Sequence, residues 1–520
     1  MDEVRAKILT DLPPRLYDAV RCWSLRTPDQ LAIADPDGKW TYRQLDLVVE
    51  RTGAWLIASG VRAGDRVMIV SENCIAFAPL FFALLEINAI PVPLNARLSA
   101  RELDVIRQHC GARRVIYLTG ASAYALEHAE RAGATIETAL DLGSIGLGSL
   151  DENAMQDPVD PDPTNAVAAI VYTSGTTGSP RGVMLTHRNL LFSSMASATV
   201  RMVTAEDKLL GVLPMSHATG LSMQFLGILM SGATLYLLPR FDPMKVRAVL
   251  EKEQLTLLYG VPFLFTQFLE YARLRRLKSL QFPYLRLMSS SGAPLLPSVK
   301  SAVEELFGLV LHNGYGVTEC SPVISVTRMG TPPRAGSAGP PYPGVEVKLM
   351  GNDQKEVSEG EVGEVWVRGP NVMKGYYRAP EETAKVINDE GWFNTQDLAR
   401  MEDGNLIIIG RTKELIIRFG FNVYPVEVEG VLNMFPGVVR SAVIGRTVEA
   451  TGEQEVIAFI QLAPDCAATT SELAKHAAQH LAAYKRPGEI RFVSEMPLTV
   501  SGKVIKDQLA KKLINETAVL

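Results

Sequence analysis

Residues 166–182 read AVAAIVYTSGTTGSPRG, an apolar, β-branched run that passes directly into a loop of small hydroxyl residues. The run predicts a buried strand over 166–174. The loop, Tyr172 to Gly182, holds five Ser/Thr hydroxyls and three glycines in eleven residues. Backbone N–H groups and hydroxyls at that density can wrap a polyphosphate, and Arg181 adds a cation. The pattern G-x-x-x-x-G-K-[ST] finds no register here, so this is not a Walker A loop. Composition alone leaves a flexible surface turn equally open.

Working outward, RVMIVS (66–71), AIPVPL (89–94) and RRVIYLT (113–119) alternate with amphipathic stretches upstream. ATLYLLP, LTLLYGVP, LRLMSSSG and LVLHNGYG continue the alternation downstream. This predicts an α/β fold with parallel strands and crossover helices. DENAMQDPVDPDPTN (151–165) interrupts it as a polar surface loop. Over 335–410 turn residues become dense and the runs short (GVEVKLMG, GEVGEVWVRG, NLIIIGR), which predicts a small β-barrel-like subdomain. Beyond it, RSAVIG, EVIAFIQL and EIRFVS surround a helix near 471–484, where Leu473, Ala477 and Leu481 share a face. The division expected is a large domain, 1–410, and a small α+β domain, 411–520.

Bulk properties bound the function. A chain of 520 residues exceeds a single core. A net charge of -5 offers no footprint for nucleic acid. Cys22, Cys74, Cys110, Cys320 and Cys466 show no CxxC pair, which argues against a disulfide framework or zinc site and fits a reducing cytoplasm. The N-terminus has no signal-peptide pattern. The longest apolar stretch, CIAFAPLFFALL (74–85), falls short of the roughly 20 residues of a membrane span and reads as a buried helix. Homo-oligomerisation is left open.

Four more segments carry chemistry. Asn313-Gly-Tyr-Gly-Val-Thr-Glu319 is a tight turn whose Glu319 suits Mg²⁺, which takes few carboxylates and relies on phosphate oxygens. Leu213-Pro-Met-Ser-His217 offers a lone histidine, a type more often structural. In Gly391-Trp-Phe-Asn-Thr-Gln-Asp397, followed by Gly410-Arg-Thr-Lys413, an Asp can accept both hydroxyls of a ribose and an Arg can add a donor. Pro497-Leu-Thr-Val-Ser-Gly-Lys503 places a lysine after a turn. Each alone also reads as an ordinary turn, strand end or solvated side chain.

Together, in this order, the five segments resemble the adenylate-forming superfamily of acyl-CoA synthetases, peptide-synthetase adenylation domains and luciferases. The resemblance spans essentially the whole chain and is nearest to a bacterial fatty-acid-type acyl-CoA synthetase. It implies that residues 1–410 form an AMP-binding domain and 411–520 a mobile domain carrying the catalytic lysine. It implies that Thr173, Ser174, Gly175, Thr176, Thr177, Gly178 and Arg181 handle the β- and γ-phosphates of ATP. Gly292, Ala293 and Pro294 match the adenine pocket, and Asn313 and Gly314 lead into the turn that surrounds the nucleotide. Tyr315 would stack on adenine, Thr318 contact the α-phosphate and Glu319 hold Mg²⁺. Asp397 and Arg411 match the ribose contacts, Lys413 the hinge, and Lys503 the lysine that reaches the carboxylate and α-phosphate. His217 matches the entrance of the acyl pocket, with Ala218, Thr219, Gly220, Val261 and Phe263 beside it. Gly420 and Asn422 match the thiol side.

The implied activity is ATP-dependent activation of a small-molecule carboxylic acid to acyl-AMP, then transfer to coenzyme A. The chain departs from the family at Arg181 (usually Lys), Gln396 (usually Gly) and Phe419-Gly420-Phe421-Asn422 (often Gly-Gly-Glu-Asn). Malonate-activating relatives place Arg where this chain has Asn313, so an uncharged acyl tail, aliphatic or aryl, is expected. Three rivals remain: a stand-alone enzyme loading a carrier protein, a luciferase-like oxygenase, and a non-catalytic nucleotide binder. Only 17 residues follow Lys503, with no carrier segment expected among them. Intact Glu319 and Lys503 argue against the binder.

Overall fold

The computed structural model describes residues 12–173, 180–334, 336–419, 421–448, 454–464, 466–499 and 503–517. Two sheets organise the large N-terminal domain. One has five strands, in the order Ile90–Asn95, Arg66–Ser71, Arg114–Tyr117, Ser144–Leu147, Thr135–Thr138. The first three, anticipated as RVMIVS, AIPVPL and RRVIYLT, run parallel. The other has eight strands. Its parallel centre joins Leu311–Tyr315, Leu287–Ser290, Leu257–Gly260, Lys208–Gly211, Thr234–Leu237 and Leu31–Ala34.

The period-2 geometry of a strand explains the near-continuous apolar runs, because both faces of these sheets are covered. Val67 and Ile69 enter the main core, while Met68 and Val70 enter a second core behind the sheet. Leu257 and Tyr259 likewise face the main core, and Leu258 faces a third. The 74–85 stretch forms the helix Phe77–Glu86, buried from Phe77 through Leu85. It ends where Glu86 meets Arg21. Among the described residues no helix is long and apolar enough to cross a membrane.

Two expectations need correction. The strand before the Gly/Thr loop spans Val167–Thr173, and Ser174 lies outside the described residues. It is not part of a parallel crossover: it pairs antiparallel with Arg181–Thr186, so the loop is the tip of a hairpin. Tyr376 on Gly375–Tyr376 pairs with Val183 to complete a three-stranded sheet. The small β subdomain is an open four-stranded antiparallel sheet, in the order Glu346–Met350, Val362–Arg368, Phe393–Glu402, Asn405–Arg411. Barrel-like closure is not formed by these strands; four are too few for a sheet to curl round and meet its own edge.

The smaller C-terminal domain pairs Val438–Thr447, Gln454–Leu462 and Glu489–Phe492. Val443, Val456 and Ala458 face one core with Leu473, Ala477 and Leu481, the face expected of the helix that here spans Thr470–His480. Ala442, Ile457 and Phe459 face another with Met496, Leu509 and Leu513.

An aromatic cluster packs within the core of the large domain. Phe225 lies 5.6 Å from Phe77, 5.7 Å from Phe81 and 5.0 Å from Phe82, centroid to centroid. Phe225→Ala is expected to cost about 3–5 kcal/mol through lost burial and a residual cavity. Denaturant unfolding checks this; a loss under about 1 kcal/mol would mean the cluster collapses to refill the space.

Candidate active site

A cavity of about 550 Å³ opens where the carboxyl ends of the parallel strands meet the C-terminal domain. In open α/β sheets that edge is where loops can diverge and leave a crevice. Strand Lys208–Gly211 feeds Val212 to Gly220 into its wall, Leu257–Gly260 feeds Val261 and Phe263, and Leu287–Ser290 feeds Gly292. Leu311–Tyr315 feeds Gly316 to Glu319, and Arg66–Ser71 feeds Glu72 and Asn73.

At one end, Glu319 sits in the turn Thr318–Cys320 and accepts a hydrogen bond from the Tyr376 hydroxyl at 2.9 Å. Burial, with Glu319 adding, holds the Tyr376 phenol well above its usual range, so it remains a donor at neutral pH. Arg181 lies over the Tyr376 ring, 5.3 Å from its centroid, and pairs with Glu382 at 3.0 Å. Thr173 faces Arg181 across the hairpin, and both line the cavity. Ser174, Gly175, Thr176, Thr177 and Gly178 lie outside the described residues. Among the described residues no cluster of three His, Cys, Asp or Glu forms a metal cage. A single carboxylate facing a cavity fits Mg²⁺ bound largely through substrate phosphate oxygens.

Beside it, the Tyr315 hydroxyl donates to Asp397 at 2.6 Å, and Asp397 pairs with Arg411 at 2.9 Å. Asp397 is buried at 4% exposure; Thr395, Gln396 and Arg411 around it reach the cavity. Tyr315 itself is not in the cavity wall as expected. Its hydroxyl is held by Asp397, and its ring lines a narrow cleft behind Gly292 and Gly316. Lys503 enters from the C-terminal domain and lines the same cavity. Burial lowers its ammonium to about 8; Arg411 and Lys413 push the same way, and Glu414 and Asp397 oppose them.

The acyl-side residues are together: His217, Ala218, Thr219, Gly220, Val261 and Phe263 all line the cavity. Burial holds the His217 imidazole below its usual range, so it is neutral at pH 7. Arg440 of the C-terminal domain reaches over Phe263, 5.1 Å from its ring centroid. Several expected residues stand outside. Of Gly292, Ala293 and Pro294, only Gly292 lines the cavity. The Asn313 amide donates instead to the Ser337 carbonyl at 3.0 Å, and Gly314 lines the rear cleft. Lys413 is exposed in the turn Thr412–Glu414. Asn422 is exposed in the hairpin Ile416–Val423, with Gly420 outside the described residues.

Sequence reasoning missed Tyr376, because its partner Glu319 is 57 residues away. It also missed Glu72, whose carboxylate takes both Arg97 and Arg240 at 2.9 Å on the cavity wall. Gly316 did carry a signal, as the second glycine of the turn. A Cβ there would lie 1.4 Å from the Pro322 carbonyl oxygen.

Cations drawn from both domains around the Glu319 carboxylate suit a polyphosphate meeting a second anion, the arrangement of the adenylate-forming class. The chain belongs to the AMP-binding enzyme family: that family matches residues 21–377, and the AMP-binding enzyme C-terminal domain matches 427–503. A feruloyl-CoA synthase of an Amycolatopsis species is 35% identical, covering 94% of this chain and 98% of its own. The ATP-bound structure of MatB from Rhodopseudomonas palustris matches with a TM-score of 0.84 at 31% identity, covering 96% of this chain and 99% of that one. The o-succinylbenzoate CoA synthetase of Bacillus subtilis, solved with its acyl-adenylate intermediate, matches with a TM-score of 0.80 at 27% identity, covering 94% and 97%.

Gly316→Ala is expected to lower ATP-dependent acid activation by about 100-fold, because the turn bearing Thr318 and Glu319 must move. Gly330→Ala, in left-handed backbone but open space, is expected to cost about 1 kcal/mol of stability and leave activity intact. Equal activities in the two variants would remove Gly316 from any positioning role.

Proposed function

We infer that the protein is an ATP-dependent, AMP-forming carboxylic acid–coenzyme A ligase, with ATP, Mg²⁺ and coenzyme A as its nucleotide, metal and acceptor. The observation that carries the reading is the meeting of Lys503 with Arg411, itself paired to the buried Asp397, at one cavity that Glu319 and Arg181 also line. The feruloyl-CoA synthase and o-succinylbenzoate CoA synthetase relatives support coenzyme A rather than a carrier protein as acceptor.

In the first half-reaction a carboxylate oxygen attacks the α-phosphorus, forming the acyl-phosphate anhydride and releasing pyrophosphate. Two anions must approach, so the residues assigned here neutralise charge. Arg181 and the hairpin loop hold the outer phosphates, Thr318 contacts the α-phosphate, and Lys503 bridges it to the acid. Asp397 and Arg411 hold the ribose, and the adenine lies against Gly292 and the turn that begins at Tyr315. Glu319 would hold Mg²⁺, which when bound would supply Lewis-acid charge neutralisation. In the second half-reaction the thiol sulfur bonds to the acyl carbon and AMP leaves. For this we propose that residues 411–520 rotate on 1–410 about Lys413. That motion withdraws Lys503 and brings Gly420 and Asn422 toward the thiol; Asn422 is exposed here and does not line the cavity.

The acid is proposed to be an aryl acid with an uncharged tail. Phe241 and Phe263 flank the acyl side, and the feruloyl-CoA synthase relative acts on an aryl acid. Arg97 and Arg240, the described guanidiniums on that side of the cavity wall, both pair with Glu72. We place the enzyme in the cytoplasm, where free thiols such as its five cysteines persist.

The reading is tested by acid-dependent pyrophosphate release and thioester formation with free coenzyme A, across cinnamic, benzoic and graded alkanoic acids. Exchange without thioester would sink the ligase reading, and preference for long alkanoates would sink the aryl one. Lys503→Ala is expected to lose at least about 100-fold in pyrophosphate release and to keep thioester formation from supplied acyl-AMP. Because the charged lysine is the working form, wild-type kcat/KM for the first half-reaction should fall as pH rises through about 8. A flat profile across that range would dissociate Lys503 from the step.

A further inference from the structure

Lys503 stands on a short hairpin whose arms are joined by a Leu498–Val504 bridge. Within it the Thr499 N–H donates to the Lys503 carbonyl at 2.8 Å, and the Lys503 N–H donates to the Thr499 hydroxyl at 3.0 Å. These bonds shape the hairpin but do not fix where it points. Leu498 and Val504 pack it on the second core of the small domain, and a polar tie comes from the next lysine, Lys506, which opens the helix Lys506–Thr517. Its ammonium reaches two carboxylates from separate elements: Glu414 at 2.8 Å, on the turn Thr412–Glu414, and Glu429 at 2.7 Å, on the helix Pro425–Leu432. Glu429 is itself fixed, since it accepts the Val443 N–H at 2.8 Å.

All three side chains are largely buried, at 16–23% exposure. One ammonium between two carboxylates leaves the cluster one negative charge in excess, and after Lys506 the cation that acts most on Glu414 is Lys503. The groups facing Lys503 are Arg411, Glu414, Asp397 and Lys413. Those facing Lys506 are Glu414 and Glu429. Burial pushes the Glu414 carboxyl up, but Lys506, then Lys503 and Arg411, outweigh it and hold it below the usual range. Glu414 is therefore shared between the two lysines, and it lies directly beside the hinge residue Lys413.

We propose that Lys506 is a positioning residue: by bridging Glu414 and Glu429 it docks the Lys503 hairpin against the hinge turn and sets how much of the Glu414 charge Lys503 receives. The hinge turn from Glu414 onward and the lysine hairpin then travel as one body, which puts the pivot before Glu414. This rests on the reading of Lys503 as the lysine of the first half-reaction.

The two sides of the cluster have opposite signatures. Glu414→Gln removes an attractive charge from Lys503, so the alkaline limb of kcat/KM for pyrophosphate release should move down by about one pH unit. Lys506→Met leaves Glu414 unshared, so the limb should move up by a similar amount. Lys506→Arg should restore the wild-type limb. Thioester formation from supplied acyl-AMP should stay within about threefold in all three, because Lys503 is not used there. Limbs that do not move, or that move in the same direction in the Gln and Met variants, would overturn the proposal. So would parallel loss of both half-reactions in a folded Lys506→Met. If that variant does not fold, Glu414→Gln decides alone: an unshifted limb overturns it. Should Lys503→Ala keep wild-type pyrophosphate release, the underlying reading fails and the proposal with it; a dead Lys503→Ala beside unshifted limbs defeats the proposal only.

Discussion

The ion pair between Asp397 and Arg411, at 2.9 Å, with the Tyr315 hydroxyl bonded to the same carboxylate at 2.6 Å, ties three parts of the chain together. Tyr315 ends a strand of the parallel sheet. Asp397 and Arg411 face one another across two strands of the β subdomain, and Arg411 is the last residue before the hinge turn. A buried carboxylate needs partners, and breaking such a pair on one side costs about 3–5 kcal/mol. The parallel sheet, the β subdomain and the entry to the C-terminal domain are thus held in register at the point where the cavity is built, and Lys503 arrives within reach of the same charges.

Much of the fold could be read from local pattern. Buried parallel strands are apolar on both faces, so runs such as RVMIVS announce themselves, and the Leu473, Ala477, Leu481 stripe marks a one-sided helix. The antiparallel pairing of Val167–Thr173 could not be read, because an apolar run does not say which way its neighbour points. The site divides the same way. Residues supplied by contiguous turns, such as Thr318 and Glu319 or Thr219 and Gly220, were legible from the motif. Partners joined only by folding were not: Tyr376 to Glu319 spans 57 residues and Lys506 to Glu414 spans 92. Asn313 and Tyr315 lie in a legible motif, yet their polar atoms turn to Ser337 and Asp397, which no spacing indicates.

The departures from the family pattern have physical consequences. Arg181 contacts both Glu382 and the Tyr376 face, a dual role that a planar guanidinium fills and an ammonium fills less well. Gln396 adopts φ 59°, the left-handed region that glycine enters without strain, and its N–H is taken by Asn394 at 2.8 Å. Phe419 adopts φ 51°, and Phe421 stacks on Tyr484 with centroids 4.6 Å apart. Aromatic contact there stands in place of the more flexible and acidic segment common among relatives.

We propose that one lysine serves the first half-reaction and is moved aside for the second by rotation about Lys413. Lys413→Pro tests this most directly, because proline fixes φ near −65° at the proposed pivot. With pyrophosphate release and thioester formation measured side by side, the account predicts that the variant still makes acyl-AMP and pyrophosphate but stalls before the thioester. Equal retention of both activities would contradict it.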